Sequence, residues 1–340
     1  MVVYLSRHLA AKEKRNVEVY GPIPRKYLLE EEAHSFVKYF PQEQYRKINP
    51  GSTVITSRAA SVGTMLNTLL DRKLDQILYT TDSYYDDLNT DTAKAFRKIV
   101  VLSKWHKDFF NKYMQVPTEQ MEVVYNFLLA EHFSTKDTPK REPHKFIYAS
   151  SPDRGLNDLL QMWPLILEVY PDATLDIFYG WAGCIKLAAN AAPGWTQSYR
   201  KMRTKYQLLR YQKGDRERGM VNHEQIAKEF QRASVWAYPT SFLETGCLTA
   251  AKARAGGAVP VTTPIGALPE TATCDQTIFV PRSDPNGKEI DFETYSKAFI
   301  EGVKRAVEKS DKERQRMSEE AIEKYRLEAI LPQWKRVLDR

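Results

Sequence analysis

The sequence predicts an α/β protein of two doubly wound domains, and three observations carry that expectation. Short apolar runs of strand length alternate with helix-length amphipathic stretches, the pattern of parallel sheets joined by crossover helices. A polar, proline-containing stretch, STKDTPKREPHK at 134–145, divides the chain into halves that are each long enough for a core of their own. In the second half, VWAYPTSFLETGCLTAAKARAGGAVPVTT at 235–263 reads as one complete strand, loop, helix and strand.

Val2, Leu5 and Leu9 share one helical face, so the first element is a helix, and NVEVYG at 16–21 is a short strand. A doubly wound domain ordinarily opens on a strand and a glycine-rich turn. Neither precedes this helix, and the expectation is an N-terminal domain without its first strand. EEEAHSFVKYF reads as helical and polar. STVITS (52–57), QILYTT (76–81), KIVVLS (98–103) and MEVVYN (121–126) read as strands, with helices near Val62–Leu70 and from Lys104 to Tyr113.

The second half restarts with the strand KFIYASS and a helix that places Leu156, Leu159, Leu160, Trp163 and Ile166 on its buried side. The loop between them suits a phosphate: Ser150 and Ser151 offer hydroxyls, Gly155 lets the backbone approach closely, and Arg154 offers a charged fork. TLDIFYG (174–180) is the next buried strand. The basic run SYRKMRTKYQLLRYQKGDRER reads as a solvated helix face, and His223 as a helix N-terminal residue. In the 235–263 unit, Glu244 lies just upstream of the helix that starts near Leu248. That helix end attracts an anion, and the carboxylate can orient hydroxyls on the same ligand. A ligand with both groups is a nucleotide sugar. TPIGALPETA makes a turn and short helix able to close over it, and QTIFV is the last strand.

At this point the chain resembles the retaining glycosyltransferases of family 4, which have the GT-B fold of two Rossmann-like domains facing across a cleft. The resemblance rests on Glu244, the small-residue run through Ala253, Ala255, Gly256 and Gly257, and the Pro260-Val261 strand. The family's second glutamate, eight positions after the first, is replaced by Lys252. Arg154-Gly155 matches the pair whose cation binds the donor diphosphate, and the family's nucleotide contacts fall near Gly180 and Trp181 and at Met220 and Val221. The start of the signature helix adds Thr245, Gly246, Cys247 and Leu248. In the first half, Thr81 and Asp82 stand where the family has a His-Asp pair, and Ser103, Trp105 and His106 match its next segment. His106 is expected to be a packing or surface histidine. Tyr84 and Tyr85 are candidates for a sugar-stacking platform, and Asn126 matches the end of the domain.

The resemblance implies a retaining, metal-independent transferase that needs no cofactor and takes a nucleoside diphosphate sugar as donor. Glu244, Asp82 and Thr81 are the catalytic candidates. Lys252 is expected to reach the diphosphate, to pair with Glu244 or to face solvent. An acceptor domain at 1–138, a donor domain at 139–324 and a final helix, 325–340 with Trp334, that returns to the first domain complete the expectation. The alternative is a catalytically impaired homologue that binds nucleotide sugars.

Composition bounds the setting. The widely spaced Cys184, Cys247 and Cys274 argue against a disulfide framework or a zinc site and fit a reducing cytoplasm. No apolar run approaches the roughly 20 residues of a membrane span, and the N-terminus lacks a signal-peptide pattern. The net charge of +7 is spread among acidic residues, which disfavours a nucleic-acid partner and leaves room for a peripheral membrane contact. The glycan, lipid or protein that accepts the sugar is not legible.

Overall fold

The computed structural model describes residues 2–21, 37–133, 138–181 and 193–339. They form two compact bodies. The first comprises Met1–Thr80, Tyr85–Val100 and Met114–Met121, and the second Thr81–Tyr84, Val101–Tyr113 and Glu122–Arg340.

In the first body, strands β1 (Val17–Gly21) and β2 (Val37–Pro41) pair in parallel, with the helix Val2–Ala11 against them. Ala10, Val37 and Tyr39 are the buried core of that unit. β2 corrects the helical expectation for this stretch. Val37 and Tyr39 are buried while Lys38 between them is exposed, the period of two that only a strand gives. A second sheet has the order β3 (Thr53–Ser57), β4 (Asp75–Tyr79), β5 (Lys98–Val101), β6 (Met121–Val123), as the alternation of elements predicts.

The second body is built on a six-stranded parallel sheet of β7 (Lys145–Ala149), β8 (Thr174–Phe178), β9 (Asp215–Gly219), β10 (Val235–Tyr238), β11 (Val259–Thr262) and β12 (Ile278–Phe279). Their order across the sheet is β12-β11-β10-β7-β8-β9. The strands after β7 are added on one side of it as far as β9 and on its other side from β10 onward, so strand order reverses between β7 and β10. In open α/β sheets ligands bind outside the carboxyl ends of the strands at such a reversal point. The strands β7, β10 and β11 are buried almost throughout, as strands covered on both faces must be.

β9 was not legible in the sequence, because four of its five residues are charged. Its alternate residues Arg216 and Arg218 reach the buried Asp176 of β8 at 2.7 and 3.0 Å, and Lys145 of β7 reaches the same carboxylate at 2.9 Å. Burial alone would raise the pKa of Asp176; the three cations outweigh it and hold the carboxyl below its ordinary value. An ion network, not an apolar face, fixes this edge strand.

Residues 138–144, the described part of the expected linker, are pinned to the second body. Glu142 N donates to Arg232 O at 2.9 Å, and Arg141 donates to the carbonyls of Ala233 and Gly256. The C-terminal helices Asp311–Tyr325 and Leu327–Leu338 belong to the same body, with Tyr325 and Trp334 buried. Among the described residues no helix is long and apolar enough to cross a membrane. Cys184 and residues 22–36 lie outside the described residues.

Candidate active site at the carboxyl edge of the six-stranded sheet

The loops after β7 and β10 meet at the reversal point. Gly155 has φ +102°, and a Cβ there would stand 2.4 Å from the carbonyl oxygen of Pro239, so only glycine allows the two loops to close on each other. Helix Leu156–Val169 begins directly after Gly155, and helix Leu248–Ala255 directly after Cys247; neither start is capped by the side chain of its N-cap residue. Amides left in that state favour an anionic partner.

Glu244 is the centre of a buried polar cluster. Its Oε1 accepts from the Tyr238 hydroxyl at 2.6 Å and from Arg154 Nη1 at 3.2 Å. Ser150 Oγ lies 3.2 Å from the Tyr238 hydroxyl. Since the single tyrosine proton is committed to Glu244, the serine is the donor in that pair. The Arg154 guanidinium lies 3.8 Å from the centre of the Phe242 ring. Burial opposes its charge, but Glu244 outweighs burial and raises its pKa. Burial and then Glu244 push the Tyr238 hydroxyl far up, so it stays protonated. The turn is braced from below by the Tyr148 hydroxyl, which donates to Ser151 O at 2.7 Å. Glu244 is fixed from behind, where Ala267 N donates to its carbonyl at 2.7 Å and Gly266, at φ +58°, packs on its backbone.

Ser150, Ser151, Arg154, Gly155 and Glu244, all singled out by sequence, thus come together. Tyr238 and Phe242 escaped sequence reasoning. The available signal was a tyrosine as the last residue of an otherwise apolar strand, whose hydroxyl must find a partner when buried.

The start of helix Leu248–Ala255 is held by a second set of contacts within this body. Thr245 Oγ1 donates to Thr81 O at 2.7 Å, Ser103 Oγ donates to Thr245 O at 2.6 Å, and Asn126 Nδ2 donates to Gly246 O at 2.6 Å. Thr81 Oγ1 in turn donates to Asp82 Oδ2 at 3.3 Å. His106 is fully buried, as a packing histidine. Its Nδ1 accepts from Leu102 N at 3.2 Å, which leaves the proton on Nε2 to be donated to Asp82 O at 3.1 Å. Burial holds its pKa down at about 4, so the ring is neutral and braces the Thr81-Asp82 segment. Glu270, also missed, accepts from Lys104 N, Trp105 N and the Tyr125 hydroxyl and caps the helix Lys104–Met114. Cys247 is buried, and burial pushes its thiol well up, so it contributes packing and a backbone amide. The cavity beside it, lined by Leu102, Asn126, Cys247 and Tyr325, is only about 10 Å³ and holds no more than a water.

A separate group forms at the ends of β8 and β9. Tyr179 N donates to Gly219 O at 2.9 Å, which sets Gly180 (φ +78°) beside Gly219, with Met220 73% exposed and Val221 partly packed on the core. Of the two proposed platform tyrosines, Tyr85 is buried and only Tyr84 is exposed; a side chain in the core cannot stack on a sugar, which corrects half of that expectation.

Neither a protein-family model nor a curated protein matches the sequence. Solved structures do match the fold. HepE of Anabaena, in complex with UDP-glucose, is similar with a TM-score of 0.67 and 12% identity over 98% of this chain and 93% of its own. Sucrose-phosphate synthase from Thermosynechococcus elongatus gives 0.66 and 15% over 99% of this chain and 91% of its own. A glycosyltransferase from Rickettsia africae ESF-5 gives 0.62 and 12% over 99% and 94%. The chain has the GT-B fold.

Within that fold, Lys252 adopts an arrangement outside the sequence expectations: its Nζ lies 2.7 Å from Nδ1 of His223, the first residue of helix His223–Arg232. Burial lowers the Lys252 pKa from 10.5 to about 8. Burial, then the Lys252 charge, lowers that of His223 to about 4, so the imidazole accepts and the ammonium donates. The linkage has a definite sign. The unfolded chain holds the lysine proton more tightly, so stability rises as pH climbs from about 8 to 10.5. Lys252→Met should therefore stabilise the GT-B chain most near neutral pH, with the gain fading towards pH 10.5. Urea midpoints across that range test this, and a pH-independent difference would contradict it. Among the described residues no group of three or more His, Cys, Asp or Glu side chains is placed to hold a metal ion.

Proposed function

We propose that this chain is a retaining glycosyltransferase of family 4 that moves a sugar from a nucleoside diphosphate sugar to an acceptor hydroxyl, without a required metal ion. The observation that carries this reading is the Glu244, Arg154 and Tyr238 cluster at the point where strand order reverses, between two helix starts left uncapped by their N-cap side chains. A fixed cation and oriented amides are what a departing diphosphate demands. Both bonds from Tyr238 and Arg154 converge on Glu244 Oε1, and Oε2 is assigned to the hydroxyls of the donor sugar. Asp82, oriented through Thr81 and His106, is the carboxylate assigned to the acceptor side. Gly180, Met220 and Val221 are assigned to the nucleoside. Lys252 enters as a further cation, which a diphosphate would have to draw away from His223. The unbridged Cys247 and Cys274 support a reducing, cytoplasmic setting.

HepE was solved with UDP and with UDP-glucose, which makes uridine diphosphate sugars the first donors to test. Calorimetry with uridine and guanosine diphosphates, followed by donor turnover, tests the reading. Failure to bind either nucleotide would sink it, and binding without turnover would favour the impaired homologue.

Arg154→Ala should weaken nucleoside diphosphate binding by roughly 1.5 to 3 kcal/mol, the range of a charged hydrogen bond. Arg154→Lys should fall between, because it keeps the charge but not the planar fork. An unchanged affinity in the alanine variant would remove Arg154 from the phosphate site.

A further inference from the structure

Between residues 193 and 213 the chain carries six cations, Arg200, Lys201, Arg203, Lys205, Arg210 and Lys213, and no acid. Most lie on the helix Pro193–Leu209. Tyr199 and Tyr206, seven residues apart, are buried against the second body. On the opposite side, Lys201, Lys205 and Leu208 fall on one stripe, and all three are exposed. Solvation accounts for the lysines. It does not account for Leu208, 81% exposed in the middle of a cationic face, or for Tyr211, 77% exposed just beyond the helix.

Tyr211 supplies a second, independent observation. It has φ +66°, the left-handed conformation that follows helix ends and that glycine ordinarily takes. A bulky side chain there strains the backbone, and exposure means that no core burial offsets the strain. The Arg210 guanidinium sits 3.8 Å from the centre of its ring, so an aromatic and a cation are presented together. Arg210 also reaches Glu217 at 3.6 Å, whereas Lys201 and Lys205 of the stripe form no ion pair among the described residues.

We infer that this face docks on an anionic lipid bilayer. The cations complement the headgroups, Leu208 inserts at the acyl boundary, and the Tyr211 ring sits at headgroup level with its hydroxyl wet. A nucleic-acid strand suits the face less well, because a convex helix surface offers no groove to track a backbone.

Co-sedimentation of the full chain with vesicles tests this. Binding is expected to vesicles of phosphatidylcholine with phosphatidylglycerol and not to phosphatidylcholine alone. Lys201→Glu with Lys205→Glu should lower partitioning by about twentyfold or more, and Leu208→Ser by about tenfold. Tyr211→Gly should lower partitioning while raising the urea midpoint, since it relieves the backbone; a purely structural tyrosine would move only the second. All four positions are exposed, and unchanged uridine diphosphate titrations would check that the variants fold. Equal binding to neutral vesicles, or partitioning indifferent to Leu208→Ser and Tyr211→Gly, would overturn the inference. So would displacement from vesicles by a short RNA whose own binding is unaffected by Leu208→Ser.

Discussion

Glu244→Gln is expected to lower sugar transfer by at least about a hundredfold while uridine diphosphate still binds. The amide keeps the shape of the carboxylate and one acceptor oxygen for Tyr238 and Arg154, which now share the Oε1 position at 2.6 and 3.2 Å. What changes is the other atom: an NH₂ group can only donate, so ligand hydroxyls lose their acceptor. Arg154, no longer facing a full negative charge, should hold the diphosphate at least as well as before. Glu244→Ala should lose transfer as fully but also leave the guanidinium without its buried partner, so the glutamine variant is the cleaner test. Titration with uridine diphosphate and with its sugar conjugate distinguishes the roles. If both affinities fall equally, Glu244 supports the phosphate site and does not touch the sugar.

The largest effect on stability is expected from Gly155→Ala, roughly 3 kcal/mol of destabilisation. Two causes combine. An L-residue is strained at φ +102°, and the new Cβ would meet the Pro239 carbonyl oxygen at 2.4 Å, a rigid backbone atom that cannot rotate away. Gly180→Ala is the control, because φ there is +78° but the nearest atom is 3.9 Å distant. Strain alone should cost it about 1 kcal/mol. The loop that moves in Gly155→Ala carries Arg154, so uridine diphosphate affinity should fall with stability in that variant. Equal urea midpoints for the two variants would show that the loops after β7 and β10 can separate without cost.

The sequence by itself determined the parts of this protein that depend on short-range order. Strand periodicity located β7, β8, β10 and β11, and glycine chemistry at Gly155 marked the turn that holds Arg154. Glu244 was legible because a carboxylate just before an apolar helix start has few structural reasons to be there. Tertiary structure alone decided what lies far apart in the chain. Arg154 meets Glu244 across 90 residues of sequence, Ser150 meets the Tyr238 hydroxyl across 88, and the Thr81 carbonyl meets Thr245 across 164. None of these distances leaves a local pattern. The same reason explains β9, whose charged residues look like a solvated surface until Asp176 is seen beneath them, and Tyr85 and His106, whose burial depends on what folds over them. Lys252 is the sharpest case. Its replacement of a carboxylate was visible in the sequence, but its partner, His223, comes from another helix, and only the packing of helices His223–Arg232 and Leu248–Ala255 brings a neutral ring within reach of its charge.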